Sequence, residues 1–192
     1  GYFPKSKLKT LRKLGSDLQG HPAIEHMPSL EHSSGPLGQG SSVAVGMAIA
    51  AKINQQKHYV FCIVSDGEQD EGQSWEAAML AAKYKLNNLV FIMDRNNIQI
   101  DGFTEDIMPL ESLRKKYESF NWHVIEIDGN NMKEVVDACE LAKTIYEKPT
   151  MILAHTVPGK GVDFMENLPE WHGKPPNVKE AELAINQLRS KS

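Results

Sequence analysis

Apolar residues along the chain fall into short, dense runs separated by helical spacing. The runs "YVFCIVS" (59–65), "LVFIMD" (89–94), "HVIEI" (123–127) and "TMILAHT" (150–156) are rich in β-branched and aromatic residues, which predicts strands. Between and around them the spacing predicts helices over 75–85, 110–120, 132–146 and 179–188, with an Ala- and Gly-rich helix over 41–52 ahead of the first strand. A further helix is expected over 5–14. A stretch rich in Gly, Pro, Ser and His then runs to Gly40, and a loop of that length inside a compact domain is usually functional.

Apolar strands alternating with helices predict an α/β fold: a three-layer, open parallel sheet with helices on both faces. Ligands of such sheets bind beyond the carboxyl ends of the strands. The segments leaving those ends are "SDGEQDEG" (65–72), "DRNNIQIDG" (94–102), "IDGNN" (127–131) and "HTVPGKG" (155–161), so Gly, Asp and Asn collect along one edge.

Charge and composition narrow the partners. With 192 residues, 41% of them hydrophobic, the chain is expected to form one domain spanning 1–192. Its 21 basic and 25 acidic residues give a formal charge of −4, which offers no general attraction for nucleic acid or anionic lipid. The basic cluster "RKKYE" (114–118) reads as a solvated helix face. No apolar run reaches the roughly 18 residues of a membrane span. Cys62 and Cys139 lack metal or redox spacing and read as buried, reduced thiols, which suits the cytoplasm.

The acidic turn carries the candidate chemistry. Asp66, Glu68, Asp70 and Glu71 would repel an anion unless a cation lay between them, and the turn lacks the GxGxxG pattern that holds a pyrophosphate directly. The Asp66 carboxylate, an amide oxygen from Asn96 or Asn97, and a backbone carbonyl form a hard oxygen set suited to Mg²⁺ or Ca²⁺. Asp66 and Asn96 are 30 residues apart, about one strand–helix–strand crossover, which brings both to one edge on adjacent strands.

With "GHP" (20–22), "SSGPLGQG" (33–40), "SDGEQDEG", "DRNNIQIDG", "PGKG" (158–161) and "WHG" (171–173) in this order, the chain resembles the thiamine diphosphate enzymes. It is most similar to the amino-terminal, diphosphate-binding half of a transketolase, in particular to the small subunit of a split transketolase. The resemblance implies thiamine diphosphate and Mg (or Ca) as cofactors. Asp66, Asn96 and the Ile98 carbonyl are implied as metal ligands, with backbone groups at Gly67 and Glu68 near the diphosphate. Gly35 and Leu37 would touch the thiamine rings, His21 and His172 would lie at the reacting end, and Glu71 and Glu76 would sit near a subunit interface. His26, His32, His58, His123 and His155 remain unassigned.

Three departures from the family pattern shape the expectation. Ser65 replaces the first glycine of GDG, a preceding segment with a further His motif is missing, and no pyrimidine-binding domain follows Ser192. The resemblance therefore implies transfer of a two-carbon ketol unit between sugar phosphates, in the pentose phosphate pathway, only with a C-terminal transketolase subunit. A two-fold, heterotetrameric assembly is expected. The alternatives are another thiamine enzyme, namely a deoxyxylulose phosphate synthase or part of a 2-oxo acid dehydrogenase E1, or a non-catalytic assembly module.

Overall fold

The computed structural model describes residues 1–191. Helix α1 (Gln39–Ile53) leads into strand β1 (Val60–Ser65), followed by α2 (Gly72–Lys83) and β2 (Leu89–Arg95). A small hairpin, β3 (Ile98–Gln99) with β4 (Gly102–Phe103), precedes the short helices α3 (Thr104–Ile107) and α4 (Leu113–Ser119). Strand β5 (His123–Asp128), α5 (Met132–Ala142), β6 (Thr150–His155) and α6 (Val178–Lys191) complete the order.

The four long strands form one sheet in the order β1-β2-β6-β5, and every pairing is parallel. Strand β2 lies inside the sheet and is apolar until its last two residues, as burial on both faces requires. Side-chain alternation splits the core in two. Phe91, Met93, Met151 and Leu153 face α1, α2 and α4, whereas Val90 and Ile152 face Ala138 and Ala142 of α5. The expected three-layer α/β architecture is what the chain adopts.

Helix α1 packs against α2 and β1. Its buried Ala44, Ala48 and Ala51 meet Ala77, Ala78 and Ala81 of α2, so small side chains let the two backbones approach closely. Helices α4 and α5 start at side-chain caps: Ser112 accepts from the Lys115 N–H at 3.3 Å and Asn131 from the Lys133 N–H at 3.1 Å.

Local expectations needed correction in four places. Residues 5–14 do not form a full helix: a 3₁₀ segment, Lys5–Thr10, buries no side chain, and a short helix without tertiary packing has little to hold it. The chain then turns at Arg12, with φ of 58°. Helix α4 begins at Leu113 rather than Leu110, because Leu110 is spent on the core outside the helix. Helix α5 stops at Ala142, its last buried residue, and not at Tyr146. Cys62 and Cys139 are half-buried rather than buried; both are unpaired, and burial pushes the Cys62 thiol up to about 11.

One polar residue inside the core fixes the acidic turn to the helical layer. Gln69 is buried; it accepts the Tyr117 hydroxyl at 2.7 Å and donates from Nε2 to the Ser65 carbonyl at 2.9 Å. Its own carbonyl accepts the Trp75 indole N–H at 2.9 Å. Gln69→Ala would leave the buried Tyr117 hydroxyl and the Ser65 carbonyl without these partners, and the expected cost is about 1–3 kcal/mol by urea unfolding. A change of only a few tenths would show that the turn is not anchored there.

Candidate functional site

Parallel register sets the site. Ser65 at the end of β1 lies beside Asp94 of β2, which lies beside Ala154 of β6, so the segments after these strands emerge together. Asp66 opens a 3₁₀ turn, Gly67–Asp70, and its side chain is fully buried. Its Oδ1 accepts the Gly67 N–H at 2.8 Å; its Oδ2 accepts both the Asn97 N–H at 2.7 Å and Arg95 Nη1 at 3.0 Å. Burial pushes the Asp66 carboxyl above its ordinary range, while the Asn97 N–H, the Arg95 guanidinium and the Gly67 N–H pull against that rise.

Asn96 sits beside this carboxylate in sequence and at the same edge in space. Its amide nitrogen donates to Asp94 Oδ2 at 2.9 Å, and its Oδ1 accepts the Ile98 N–H at 3.0 Å. Asp94 is held in turn by the Thr156 hydroxyl, which donates to its Oδ1. The acidic turn packs directly on the hairpin, since a Cβ added to Gly67 would lie 3.2 Å from Gln99 Cβ. Asp66 and Asn96 are thus brought to one edge on adjacent strands, as their spacing predicts, and Ile98 follows Asn96 at the start of the hairpin. Among the described residues, no group of three or more His, Cys, Asp or Glu side chains is arranged to hold a metal. One carboxylate with neutral oxygens is a donor set that leaves room for anionic ligands on the same ion.

Glu68 joins the acidic turn to the "GPLGQG" loop. Its Oε1 accepts the Gly38 N–H at 2.7 Å and its Oε2 accepts the Ser65 N–H at 3.2 Å, while its own N–H donates to the Ser65 hydroxyl at 3.1 Å. Gly38 is also the N-cap of α1, so a carboxylate lies at the positive end of a 15-residue helix. Serine in place of the family's first glycine therefore has a use: its hydroxyl satisfies the Glu68 amide. Upstream, the His21 ring lies on Gly35, where an added Cβ would fall 2.4 Å from the ring and where φ is 141°. Leu37, between the two glycines, is exposed.

A cavity of about 590 Å³ opens beyond β2 and β6, and Asn96, Ile98, Thr156, Gly159 and His172 line it. His21 instead lines a separate hollow with Arg12, Lys13 and His26, so the two candidate histidines do not share one cavity within this chain. Glu71 and Glu76 are exposed at the start of α2.

The family described as transketolase, thiamine diphosphate binding domain, matches residues 2–191. The chain belongs to this family. Relatives of this transketolase domain include one subunit of the apulose-4-phosphate transketolase of Actinobacillus succinogenes, 44% identical over 189 residues, covering 98% of this chain and 68% of that protein. The 6-deoxy-6-sulfo-D-fructose transketolase subunit SqwG of Clostridium sp. is 46% identical over 166 residues, covering 86% of this chain and 60% of that protein. Human transketolase is 38% identical over 99% of this chain but only 30% of its own length. Among solved structures, transketolase from Campylobacter jejuni superposes with a TM-score of 0.90 at 35% identity, over 96% of this chain and 30% of that one. The chain thus spans about two thirds or less of the subunits it resembles and under a third of the whole enzymes.

Residue-by-residue reading missed Arg95, Gln69 and the clamp made by the Glu68 side chain. For Arg95 a signal existed, because alternation along β2 places it on the same buried face as Phe91 and Met93. Glu68→Ala would strip the Gly38 and Ser65 amides of their acceptor. The expected result is a loss of about 1–3 kcal/mol and faster hydrogen exchange at those two amides, read by mass spectrometry. Unchanged exchange at Gly38 would show that the loop is held by something else.

Proposed function

We propose that this chain is the diphosphate- and metal-binding domain of a two-chain transketolase. The observation that carries the reading is the junction of the Asp66 turn with the 96–98 segment: the buried carboxylate accepts the Asn97 N–H, and the Asn96 amide oxygen accepts the Ile98 N–H, at the edge where such sheets bind ligands. These residues fit Mg²⁺. The carboxylate keeps a free lone pair on Oδ1, Asn96 is locked by Asp94, and the acids of the turn disfavour a bare diphosphate while welcoming one paired with a cation.

In this reading Asp66, Asn96 and the Ile98 carbonyl hold Mg, or Ca in its place. The turn at Gly67 and Glu68 approaches the diphosphate, and Gly35 and Leu37 bound the thiamine rings. When bound, thiamine diphosphate supplies a carbanion equivalent that accepts a two-carbon ketol unit from one sugar phosphate and delivers it to another. This chain orients and neutralises. Its exposed His172, beside the metal-binding segment, donates to or accepts from substrate oxygens, and His21, set against Gly35, does the same from the other loop. Glu71 and Glu76, exposed at the start of α2, face a neighbouring protomer.

The partner is a C-terminal transketolase subunit carrying the pyrimidine-binding domain, in a two-fold assembly. Relatives named as single subunits of a transketolase support a divided enzyme. Unpaired Cys62 and Cys139 support a cytoplasmic setting; among the described residues no helix is long and apolar enough to cross a membrane. The exposed, apolar Leu37 and Ile63 support burial against further protein.

Reconstitution is the test. Mixed with its pyrimidine-domain partner, Mg²⁺ and thiamine diphosphate, the chain should transfer a ketol unit from fructose 6-phosphate, which neither chain does alone. Asp66→Ala should abolish cofactor retention while the assembly still forms. Full activity of this chain by itself, turnover of pyruvate in preference to the ketose, or unchanged retention in Asp66→Ala would each refute the assignment.

A further inference from the structure

The buried cation nearest to the Asp66 carboxylate belongs to the protein itself. Arg95 leaves β2 on the core side, and its side chain is only 3% exposed. Its Nη1 donates to Asp66 Oδ2 at 3.0 Å and to the Thr104 hydroxyl at 2.7 Å; its Nη2 donates to Glu105 Oε1 at 2.8 Å and to Glu111 Oε1 at 2.9 Å. The guanidinium is therefore anchored from the far side by three residues of the 104–111 segment and aimed at one oxygen of the carboxylate. Glu105 and Glu111 more than offset its charge, so it does not repel a cation bound on the other side of Asp66.

The count of acceptor sites decides what Asp66 can do. A carboxylate oxygen has two lone pairs. On Oδ2 both are engaged, one by Arg95 and one by the Asn97 N–H, whereas among the described residues Oδ1 receives only the Gly67 N–H. A cation can therefore take Asp66 through Oδ1 alone, and chelation by both oxygens is closed off. That restriction distinguishes metals. Mg²⁺ demands near-octahedral geometry with single-oxygen contacts, while Ca²⁺ takes six to eight oxygens and accepts two from one carboxylate.

Resting on the reading of Asp66 as a metal ligand, we propose that Arg95 is a positioning residue that holds Asp66 in a single-oxygen mode and so biases the site toward Mg²⁺ over Ca²⁺. Arg95 touches neither cofactor nor substrate in this role. It acts through the carboxylate, as outer partners of metal ligands do.

The test compares wild type, Arg95→Met and Arg95→Lys in the full polypeptide co-purified with its partner chain. Thiamine diphosphate binding is followed by tryptophan fluorescence at saturating Mg²⁺ and, separately, at saturating Ca²⁺. Arg95→Met should weaken Mg²⁺-dependent binding by about 10- to 100-fold, the usual cost of losing an outer partner of a metal ligand. Ca²⁺-dependent binding should fall several-fold less, so the preference for Mg²⁺ narrows. Arg95→Lys, which restores the charge without the fork, should recover only part of the preference. Should Arg95→Met not fold, Glu111→Gln on a half-exposed side chain loosens the same fork, and it should narrow the preference in the same direction by a smaller factor. Equal losses with both metals would mean that Arg95 only stabilises the fold, and an unchanged ratio would likewise overturn the inference. Wild type that binds cofactor with neither metal overturns the functional assignment itself, an outcome separate from an altered or unaltered ratio.

Discussion

Everything at the edge of this molecule depends on the parallel register that sets Ser65 beside Asp94. Parallel pairing forces both chains to leave the sheet in one direction, so the residues that follow have no choice but to meet. The Asp66 N–H completes that pairing by donating to the Asp94 carbonyl at 3.3 Å, one residue beyond the strand end. A slip of one position would reverse the faces of Asp66 and Arg95, removing one from the site and exposing the other. The buried rows Phe91–Met93 and Val90–Ile152, gripped by different helices, are what prevent the slip.

Given that register, the difficulty is electrostatic: four acids occupy a turn at the sheet edge. The chain answers it with donors of its own. Glu68 is held between the Gly38 amide at the start of α1 and the Ser65 amide at the end of β1, and Asp66 between two backbone amides and a guanidinium. A turn organised in this way has little ordering left to do when a ligand arrives, which lowers the entropic cost of binding. The same hydrogen bonds engage Oδ2 twice and Oδ1 once, so preorganisation and the remaining acceptor capacity of this buried carboxylate come from one set of contacts.

The sheet was legible in the sequence because each strand is a compact apolar run and each long helix presents an apolar stripe. The edge at which the Asp66 and Asn96 segments meet followed from the general behaviour of parallel sheets. What could not be read were features made by contacts between distant positions. The Gln69–Tyr117 hydrogen bond joins residues 48 apart, and nothing in either neighbourhood announces it. The β3–β4 hairpin is two residues per strand, too short for a period to show. Residues 5–14 looked helical by spacing alone, yet Leu8, Leu11 and Leu14 remain exposed, so no burial rewards the helix. Arg95 is the instructive case: a charged residue on the buried parity of a strand was visible, and one of its partners, Asp66, was already singled out, whereas no pattern marked Glu105 or Glu111 as the others.

The placement of the histidines and of the apolar surface bears on the proposed division of the enzyme between two chains. His172 lines the cavity with Asn96 and Ile98, whereas His21 lies across on Gly35, in a different hollow. Leu37, in the loop that Glu68 ties to the acidic turn, stands exposed. On the sheet, Phe61 and Ile63 of β1 share a face with Val90 and Ile92 but remain 42% and 79% exposed, because α5 covers only the other strands of that face. Apolar side chains on a regular strand, paired in register with buried neighbours, are core residues without their lid. Their burial in a larger assembly would enclose the sheet and the cofactor end together, which is why the divided-enzyme reading accounts for the exposed surface and the separated histidines with one cause.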